Sequence, residues 1–489
     1  MFRYERFRET HFLEFLNQGL LDEDINEVIS LFESYSPKLQ FKIIEYLKSK
    51  RLPQVSLRVL GKALKVSQKD ARHILTEKGR VFRLVITSLE NGEVSGKIIK
   101  ALVIPETSKL VTNNPYIKRN LFTVKKFIGK PFAVFFEEAF TGKSFLLPLA
   151  VALYVRNIPE NLLFTGKIDS KGNILEVDYI EEKLKIAKKE GFKLITPSQV
   201  GHIDTIKAFL DKEFWNLPFY ITSESFEEMN IFLSEIPEEV VSKELSIFEG
   251  IELFYDIPKR DFCIITGQLQ SQKDWERVCE EFYININKIK LKLPGKKRFH
   301  FGVRGPATLA FALGVVWGSQ EPFVIYHYQA GGYHAIEVDN PRYLKERTAD
   351  LNSIKWQFDK KGKDLAILIR LSHHELFADA KAYAERVLKD PSFLFVEHRE
   401  SGNVPVEKFK KVVQEVASLI QDLRKEHTFE SFHFFFSCPV AIAFMLGVAF
   451  GHYAGGCLYN YQKDEQIYMP AIDFSVLRSI REGKKEIKR

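Results

Sequence analysis

Methionine is scarce in this 489-residue sequence, with 4 residues against 42 phenylalanines. Its cores are therefore expected to be aromatic and rigid rather than adaptable. Cysteine is equally scarce. Cys263, Cys279, Cys438 and Cys457 stand far apart, and none forms a CxxC or a Cys/His pair of zinc-finger spacing. Neither a metal site nor a disulfide framework is expected, and thiols used as small buried apolar groups imply a reducing compartment. Met1 to Asn17 is charged and lacks the apolar run of a signal peptide, so a cytoplasmic location is expected. A strong charge of one sign is missing too. The net charge of +7 suits a pocket for an anionic ligand better than a protein that coats DNA. Hydrophobic residues at 45% and charged residues at 28% exclude disorder over most of the length. The length suggests about three domains.

One stretch lacks charge altogether: residues 432–462 hold no Asp, Glu, Lys or Arg. It is long enough to span a bilayer. Ser437-Cys438-Pro439 and the Gly-rich segment 451–456 break it, and strand, helix, strand is the better reading; no membrane association is expected.

Residues 1–80 read as a helical domain. Phe12, Phe15, Leu16 and Leu20, then Val28, Leu31 and Phe32, then Leu39, Ile43, Ile44 and Leu47 recur at helical spacing. A winged-helix DNA-binding reading of Pro53 to Gly79 is the weaker alternative, on the expectation that charge is not concentrated there. Residues 81–240 change to a mixed α/β pattern. Val81–Ile86, Gly96–Ile104 and Phe132–Phe136 read as strands, and Phe145–Val155 as an apolar helix. A turn at Lys171-Gly172-Asn173, a strand at Ile174–Val177, a helix at Ile180–Glu190 and a strand at Lys193–Thr196 follow. The segment Pro237 to Ser246 is acidic and reads as a linker.

Gly142-Lys143-Ser144, after a strand and before a helix, invites a phosphate-loop reading. That motif needs a glycine at position 137, where Glu137 stands beside Glu138. Two carboxylates there would repel phosphate, so ATP is not an expected cofactor. Taken singly, Ser144 and Lys183 read as a helix cap and a solvated lysine. A wider ordered set changes that: Ser144 at the helix start, Thr165-Gly166, Lys171-Gly172-Asn173, Lys183 within Glu182-Lys183-Leu184, and Leu194-Ile195-Thr196-Pro197. This set resembles the proteolytic domain of the Lon family. The resemblance implies a Ser–Lys dyad, with Ser144 the nucleophile, Lys183 its base and Thr165 a supporting hydroxyl. A lysine serves as base only when its amine is neutral, which burial favours. Lys143, Phe145 and Leu146 replace the family's Pro before the serine and Ala-Gly after it, and their bulk bears on the substrate groove. No Walker motif occurs upstream, so the resemblance implies an ATP-independent serine endopeptidase under allosteric control.

Residues 247–489 contain an internal repeat. Aligned without a gap, 299–329 and 432–462 are identical at 13 of 31 positions. Phe299-His300-Phe301 matches Phe432-His433-Phe434, Pro306 matches Pro439, and Tyr326 and Tyr328 match Tyr459 and Tyr461. Asp261–Thr266 and Asp364–Ile369 are the expected first strands of two β/α units, about 247–345 and 360–480. The repeat resembles the SAVED domain, a fused pair of CARF-like Rossmannoid units that bind cyclic oligonucleotides. α/β sheets bind ligands at the carboxyl ends of their strands. The expected contacts are therefore Thr266, Gly267 and Gln268, Arg304 and Gly305, Ser372, His373 and His374, and Ser437 and Cys438, with Trp275 stacking on a base.

The expected fold is thus multidomain α/β: a helical domain, a Lon-protease-like domain and a SAVED domain. Together they resemble the CRISPR-associated Lon–SAVED proteases of type III antiviral systems. That resemblance implies cyclic tetra-adenylate as activator and head-to-tail self-association on binding it. It also implies a protein substrate encoded nearby, of the anti-sigma-factor or toxin–antitoxin kind. A catalytically inactive cyclic-nucleotide-binding scaffold is the alternative.

Overall fold

The computed structural model describes residues 16, 24–90, 93–237, 239–400 and 403–483; Phe12, Phe15 and Leu20 lie outside them. The chain divides into two compact units, Met1–Lys212 with Val240–Gly250, and Glu213–Glu239 with Ile251–Arg489.

The first unit opens with helices α1 (Ile25–Ser30), α2 (Pro37–Lys48), α3 (Gln54–Ala63) and α4 (Gln68–Thr76). Ser36 and Ser67 cap α2 and α4, accepting from the Leu39 and Asp70 N–H groups. A long antiparallel hairpin follows, β1 (Arg80–Glu90) and β2 (Glu93–Ile104), in a sheet of order β1-β2-β4-β3 with β3 (Val111–Thr112) and β4 (Ala133–Phe136). The expected separate helical domain 1–80 is not separate. Leu57, Leu60 and Ile74 share one buried cluster with Leu102, Ile104 and Phe135 of the sheet. Helices of about ten residues are marginal alone and need an apolar partner; here the sheet face supplies it.

The unit continues through α5 (Leu121–Ile128), α6 (Leu146–Tyr154), β5 (Leu162–Phe164), β6 (Lys167–Ile168), β7 (Ile174–Leu175), α7 (Ile180–Lys189), β8 (Lys193–Ile195) and α8 (Ile203–Leu210). β5 pairs with β8 in parallel, and β6 with β7 antiparallel. α6 is apolar all round and buried along most of its length, as an internal helix must be. The Arg80 guanidinium bonds the Ala152 and Val155 carbonyls at its C-terminal end. The acidic linker is a strap on this unit. Glu244 accepts from Gly201 N, His202 N (both 3.3 Å) and the Thr205 hydroxyl (2.8 Å) beside the start of α8.

The second unit holds two sheets. One has the order β10-β9-β11-β12-β13, from β9 (Phe214–Thr222), β10 (Cys263–Ile265), β11 (Lys296–Arg304), β12 (Phe323–Gln329) and β13 (Gly332–Val338). The other has the order β14-β16-β15-β17-β18-β19, from β14 (Ile354–Asp359), β15 (Asp364–Arg370), β16 (Ser392–His398), β17 (Ser431–Ser437), β18 (Gly456–Gln462) and β19 (Ile467–Asp473). The helices are α9 (Glu227–Glu235), α10 (Ile247–Tyr255, crossing the boundary at Gly250), α11 (Gln272–Lys292), α12 (Ala307–Trp317), α13 (Phe377–Val387), α14 (Phe409–Glu426), α15 (Val440–Phe450) and α16 (Phe474–Arg481). In both sheets the central strands pair in parallel and the last two form an antiparallel hairpin, while β14 pairs antiparallel with β16 at the other edge of the second sheet. The charge-free stretch 432–462 resolves into β17, α15 and β18, and no helix among the described residues is long and apolar enough to cross a membrane.

Asp261–Thr266 is not the counterpart of Asp364–Ile369. β9 lies between β10 and β11 as β15 lies between β16 and β17, so the matching strand is Phe214–Thr222. The second unit therefore takes in a segment that the expected boundary near 240 gave to the preceding domain. Helices α12 and α15 cross at the repeat's paired glycines. A Cβ on Gly314 would stand 2.0 Å from the Phe444 carbonyl oxygen, and one on Gly447 2.0 Å from that of Phe311. The two backbones touch there, which only glycine permits.

Candidate catalytic cleft and sensor rim

A cleft of about 720 Å³ in the first unit is lined by Ser144 and Lys183, with Ile86 to Leu89 of β1 and Ser95 to Lys97 of β2 along one side. Ser144 precedes α6, and its carbonyl accepts from Gly166 N (3.2 Å) just past β5. Phe145 and Leu146, whose bulk was expected to bear on the groove, are 1% and 4% exposed. The Phe145 ring packs edge-on against Phe136 and against Phe140, which lines the cleft.

Lys183 lies in the first turn of α7 and is 3% exposed. Its amine donates to the Asp178 carbonyl at 2.8 Å, across a turn in which Tyr179 takes the left-handed conformation at φ 61°. Burial pushes the Lys183 ammonium below the usual lysine range. Asp178 and Glu182 oppose that shift and Lys167 adds to it. This is the direction a proton-accepting amine requires. Ser144 makes no side-chain hydrogen bond among the described residues, so the serine and lysine share the cleft without being bonded to each other. Thr165 departs from the expected role. It is 1% exposed, and its hydroxyl has no partner among the described residues, so the Asp178 carbonyl, not Thr165, holds the amine. Periodicity does not reveal a backbone carbonyl supplied by a left-handed turn. Glu138, one of the two carboxylates of the failed phosphate loop, pairs with Lys97 at 2.7 Å on the cleft wall.

In the second unit the expected ligand contacts divide. Ser372 and Ser437 bond each other (2.8 Å), and the Ser437 hydroxyl reaches the His374 carbonyl (3.0 Å), so the loops after β15 and β17 meet. His373 and His374 are exposed beside them, and Cys438 is half-buried with its thiol pushed up by burial. Thr266 is buried, its N–H on the Thr222 carbonyl (2.8 Å), while Gly267 (φ 63°) and Gln268 are exposed. Gln462 at the end of β18 donates to the Leu269 carbonyl (3.2 Å), which joins strand-end loops of both repeats on one rim.

Two expected contacts are corrected. Trp275 is 2% exposed in the buried face of α11 and offers no stacking surface. Arg304, followed by the half-buried Gly305, is already held by Glu224 (2.8 Å) and Glu228. A residue the sequence reading passed over matches it: Arg370, ending β15, is held by Glu375 and Glu397. Extending the expected strand Asp364–Ile369 by one residue would have found it. At the opposite, amino-terminal edge of the second sheet, a hollow of about 390 Å³ is lined by His433, Gly456, Tyr459, Asp473 and Arg478.

Residues 235–338 and 342–474 match the family model of SAVED, the SMODS-associated and fused to various effectors sensor domain. The duplicated region is a SAVED sensor domain. Among solved structures, the chain is similar to the Cap4 SAVED/CARF-domain receptor of Acinetobacter baumannii with the cyclic trinucleotide 3'3'3'-cAAA. The identity is 15%, the match covers 53% of this chain and 51% of that one, and the TM-score is 0.36. The same receptor with 2'3'3'-cAAA matches at 14% identity, 53% and 51% coverage and a TM-score of 0.35. The Moraxella osloensis Cap4 receptor matches at 15%, 53% and 49%, with a TM-score of 0.30. The chain spans about half the length of these structures. No curated protein matches it.

Proposed function

We propose that this chain is a serine endopeptidase gated by a cyclic oligoadenylate, serving type III CRISPR antiviral signalling in the cytoplasm. The observation that carries the reading is the lysine. A buried amine, depressed toward neutrality, lines the same cleft as a serine at a helix start. In the reaction the Lys183 amine takes the Ser144 hydroxyl proton as Oγ attacks the scissile carbonyl. The resulting ammonium returns that proton to the leaving amine as the peptide bond breaks, and water then releases the acyl group from Oγ by the reverse route. The N–H groups of Leu146 and Leu147 are taken by the Lys143 and Gly166 carbonyls, both at 3.1 Å. The oxyanion donors on this reading are the N–H of Ser144 and that of the residue before it.

Because serine and lysine are unbonded here, the same reading assigns the gate. Messenger binding to the SAVED domain favours the state in which Oγ reaches the amine, and a ligand shifts only an equilibrium between states that it binds unequally. Cyclic tetra-adenylate is the proposed activator, and open head-to-tail self-association on binding is the proposed route. The rim formed by Ser372, His374 and Ser437 is its proposed seat. The unbonded pair also favours one second reading, an inactive scaffold that binds the messenger.

The test incubates the full chain with the products of neighbouring genes and with cyclic tri-, tetra- or hexa-adenylate. Cleavage of one partner only in the presence of a messenger, lost in Ser144→Ala and Lys183→Ala, is the expected result. Messenger binding without cleavage of any partner would leave the scaffold. Absence of a mass increase in light scattering on adding cyclic tetra-adenylate would remove the self-association step.

A further inference from the structure

The basic excess is not spread evenly. Residues 48–80 carry ten Lys or Arg against Asp70 and Glu77, a net +8 where the whole chain has +7. Within Pro53–Gly79 itself the count is six Lys or Arg against the same two acids, a net +4, still a denser excess than the chain as a whole carries, and this reopens the DNA-binding reading set aside on its charge. The fold around these charges is a helix–turn–helix. α3 has ten residues and α4 nine, with four between them. The turn closes over Gly61, where a Cβ would stand 3.1 Å from the Val66 carbonyl oxygen. These are the proportions of the motif that lays its second helix in the major groove.

The two faces of α4 are chemically opposite. Its inner face is pinned: Ile74 and Leu75 are buried, the Asp70 carboxylate accepts from Ser108 N–H and hydroxyl, and His73 Nε2 meets the Pro105 carbonyl at 2.8 Å. The Lys48 amine bonds the Ile74, Leu75 and Glu77 carbonyls at its C-terminal end. The outer face presents Lys69 and Arg72, and α3 presents Arg58 and Lys62. All four are exposed, and none has a carboxylate partner among the described residues. Four unpaired cations on a rigidly held pair of helices match the charge of a phosphate backbone.

We infer that the α3–α4 face binds double-stranded DNA, with the first half of α4 entering the major groove and Arg58, Lys62, Lys69 and Arg72 on phosphates. The duplex is favoured over single strands because α3, α4 and the turn between them contain no Phe, Tyr or Trp to stack unpaired bases. The inference is independent of the protease reading, and Ser144→Ala is expected to bind DNA as the wild type does.

The test is fluorescence anisotropy of the full chain with an end-labelled 30-base-pair duplex from 50 to 200 mM KCl. Four phosphate contacts predict a log–log salt slope of about −3.6, roughly a 150-fold loss across that range. Lys69→Glu/Arg72→Glu should weaken binding at least about tenfold at 50 mM and flatten the slope by about two contacts. The charge-matched Lys355→Glu/Lys389→Glu, on the other unit, should leave both unchanged. Lys69→Arg/Arg72→Lys should retain binding, which separates lost charge from lost fold, and circular dichroism checks each variant. The inference is overturned by no binding at 50 mM, by binding indifferent to the reversal, by equal affinity for a single-stranded RNA of the same length, or by capture on phosphatidylglycerol vesicles in place of the duplex.

Discussion

The two repeats of the sensor unit agree at their centre and differ at their rim. At the centre, α12 and α15 have the same length and cross at equivalent glycines with mirrored contacts. Each repeat also packs a histidine against a tyrosine, with His433 buried and His300 half-buried. His300 Nδ1 meets the Tyr326 hydroxyl at 3.1 Å, and His433 Nδ1 meets that of Tyr459 at 3.2 Å. The other ring nitrogen is spoken for in both. Nε2 of His300 faces the Asn216 amide oxygen (3.1 Å), and Nε2 of His433 faces the Ser431 hydroxyl (2.7 Å), whose own proton goes to Asp364. With Nε2 donating to these oxygens, each tyrosine hydroxyl can donate to Nδ1, and burial, which lowers both imidazoles, favours that neutral form. At the rim the symmetry breaks. Arg304 and Arg370 lie in the last row of the paired central strands, but Arg304 stands on β11, opposite Thr222, and Arg370 on β15, opposite Ser437. Close packing and buried polar satisfaction hold duplicated positions in place, while exposed strand ends are free to diverge.

The largest expected effect tests the symmetric centre. Gly314→Ala and Gly447→Ala each force a methyl onto a facing carbonyl and should cost about 3 kcal/mol. The two losses should be equal and less than additive, since both disturb one crossing. Calorimetric melting of the full chain checks this, and a clearly unequal pair would break the mirror.

The histidines come next. Burial pushes His300 down to about 4 and His433 below its usual value. The unfolded chain then takes up protons below about pH 6.5 that the folded chain refuses. Stability should be complete above that pH and fall as pH drops toward 4, by on the order of 2 kcal/mol for His300. Melting temperatures across pH 4 to 7 for wild type and His300→Asn measure it; an identical pH slope in the variant would refute the assignment.

A smaller effect marks where the repeats part. The buried Thr308 hydroxyl donates to the Tyr459 carbonyl at 2.9 Å, and its counterpart is Ala441. Thr308→Val should cost about 1 kcal/mol, with no matching loss in Ala441→Val beyond packing. The rim should matter least to stability. Arg304→Ala and Arg370→Ala are each expected to cost about 0.5 kcal/mol, because these ion pairs are solvent-screened. Arg370, the less exposed of the two, should cost more. Urea titrations that reverse this order would undo the ranking.

Much of this was legible in the chain. Strands β1, β2 and β15, the buried helix α6 and the ungapped repeat follow from runs of apolar residues and from self-similarity, which are local or directly comparable signals. Ser144 and Lys183 were legible only as members of an ordered set of motifs. The contact that orients Lys183, the ion pairs that occupy Arg304 and the burial of Trp275 were not legible, because each depends on a neighbour supplied by another element. β9 shows the same limit. The sequence reading marks no strand at Phe214–Thr222 and leaves it within 81–240, and only its hydrogen bonds to a strand some eighty residues later assign it to the second unit.

Composition and pattern alone determined that the chain is mixed α/β, that its C-terminal half is duplicated, and that positions 314 and 447 are glycine twice over. Tertiary structure alone decided that the leading helices share a core with the sheet and that a lysine in a charged-looking helix is buried. It also decided that the cations of α3 and α4 stand unpaired in solvent. The reason is physical: periodicity encodes which face of an element is apolar, whereas burial, pairing and pKa depend on what comes to lie against that face.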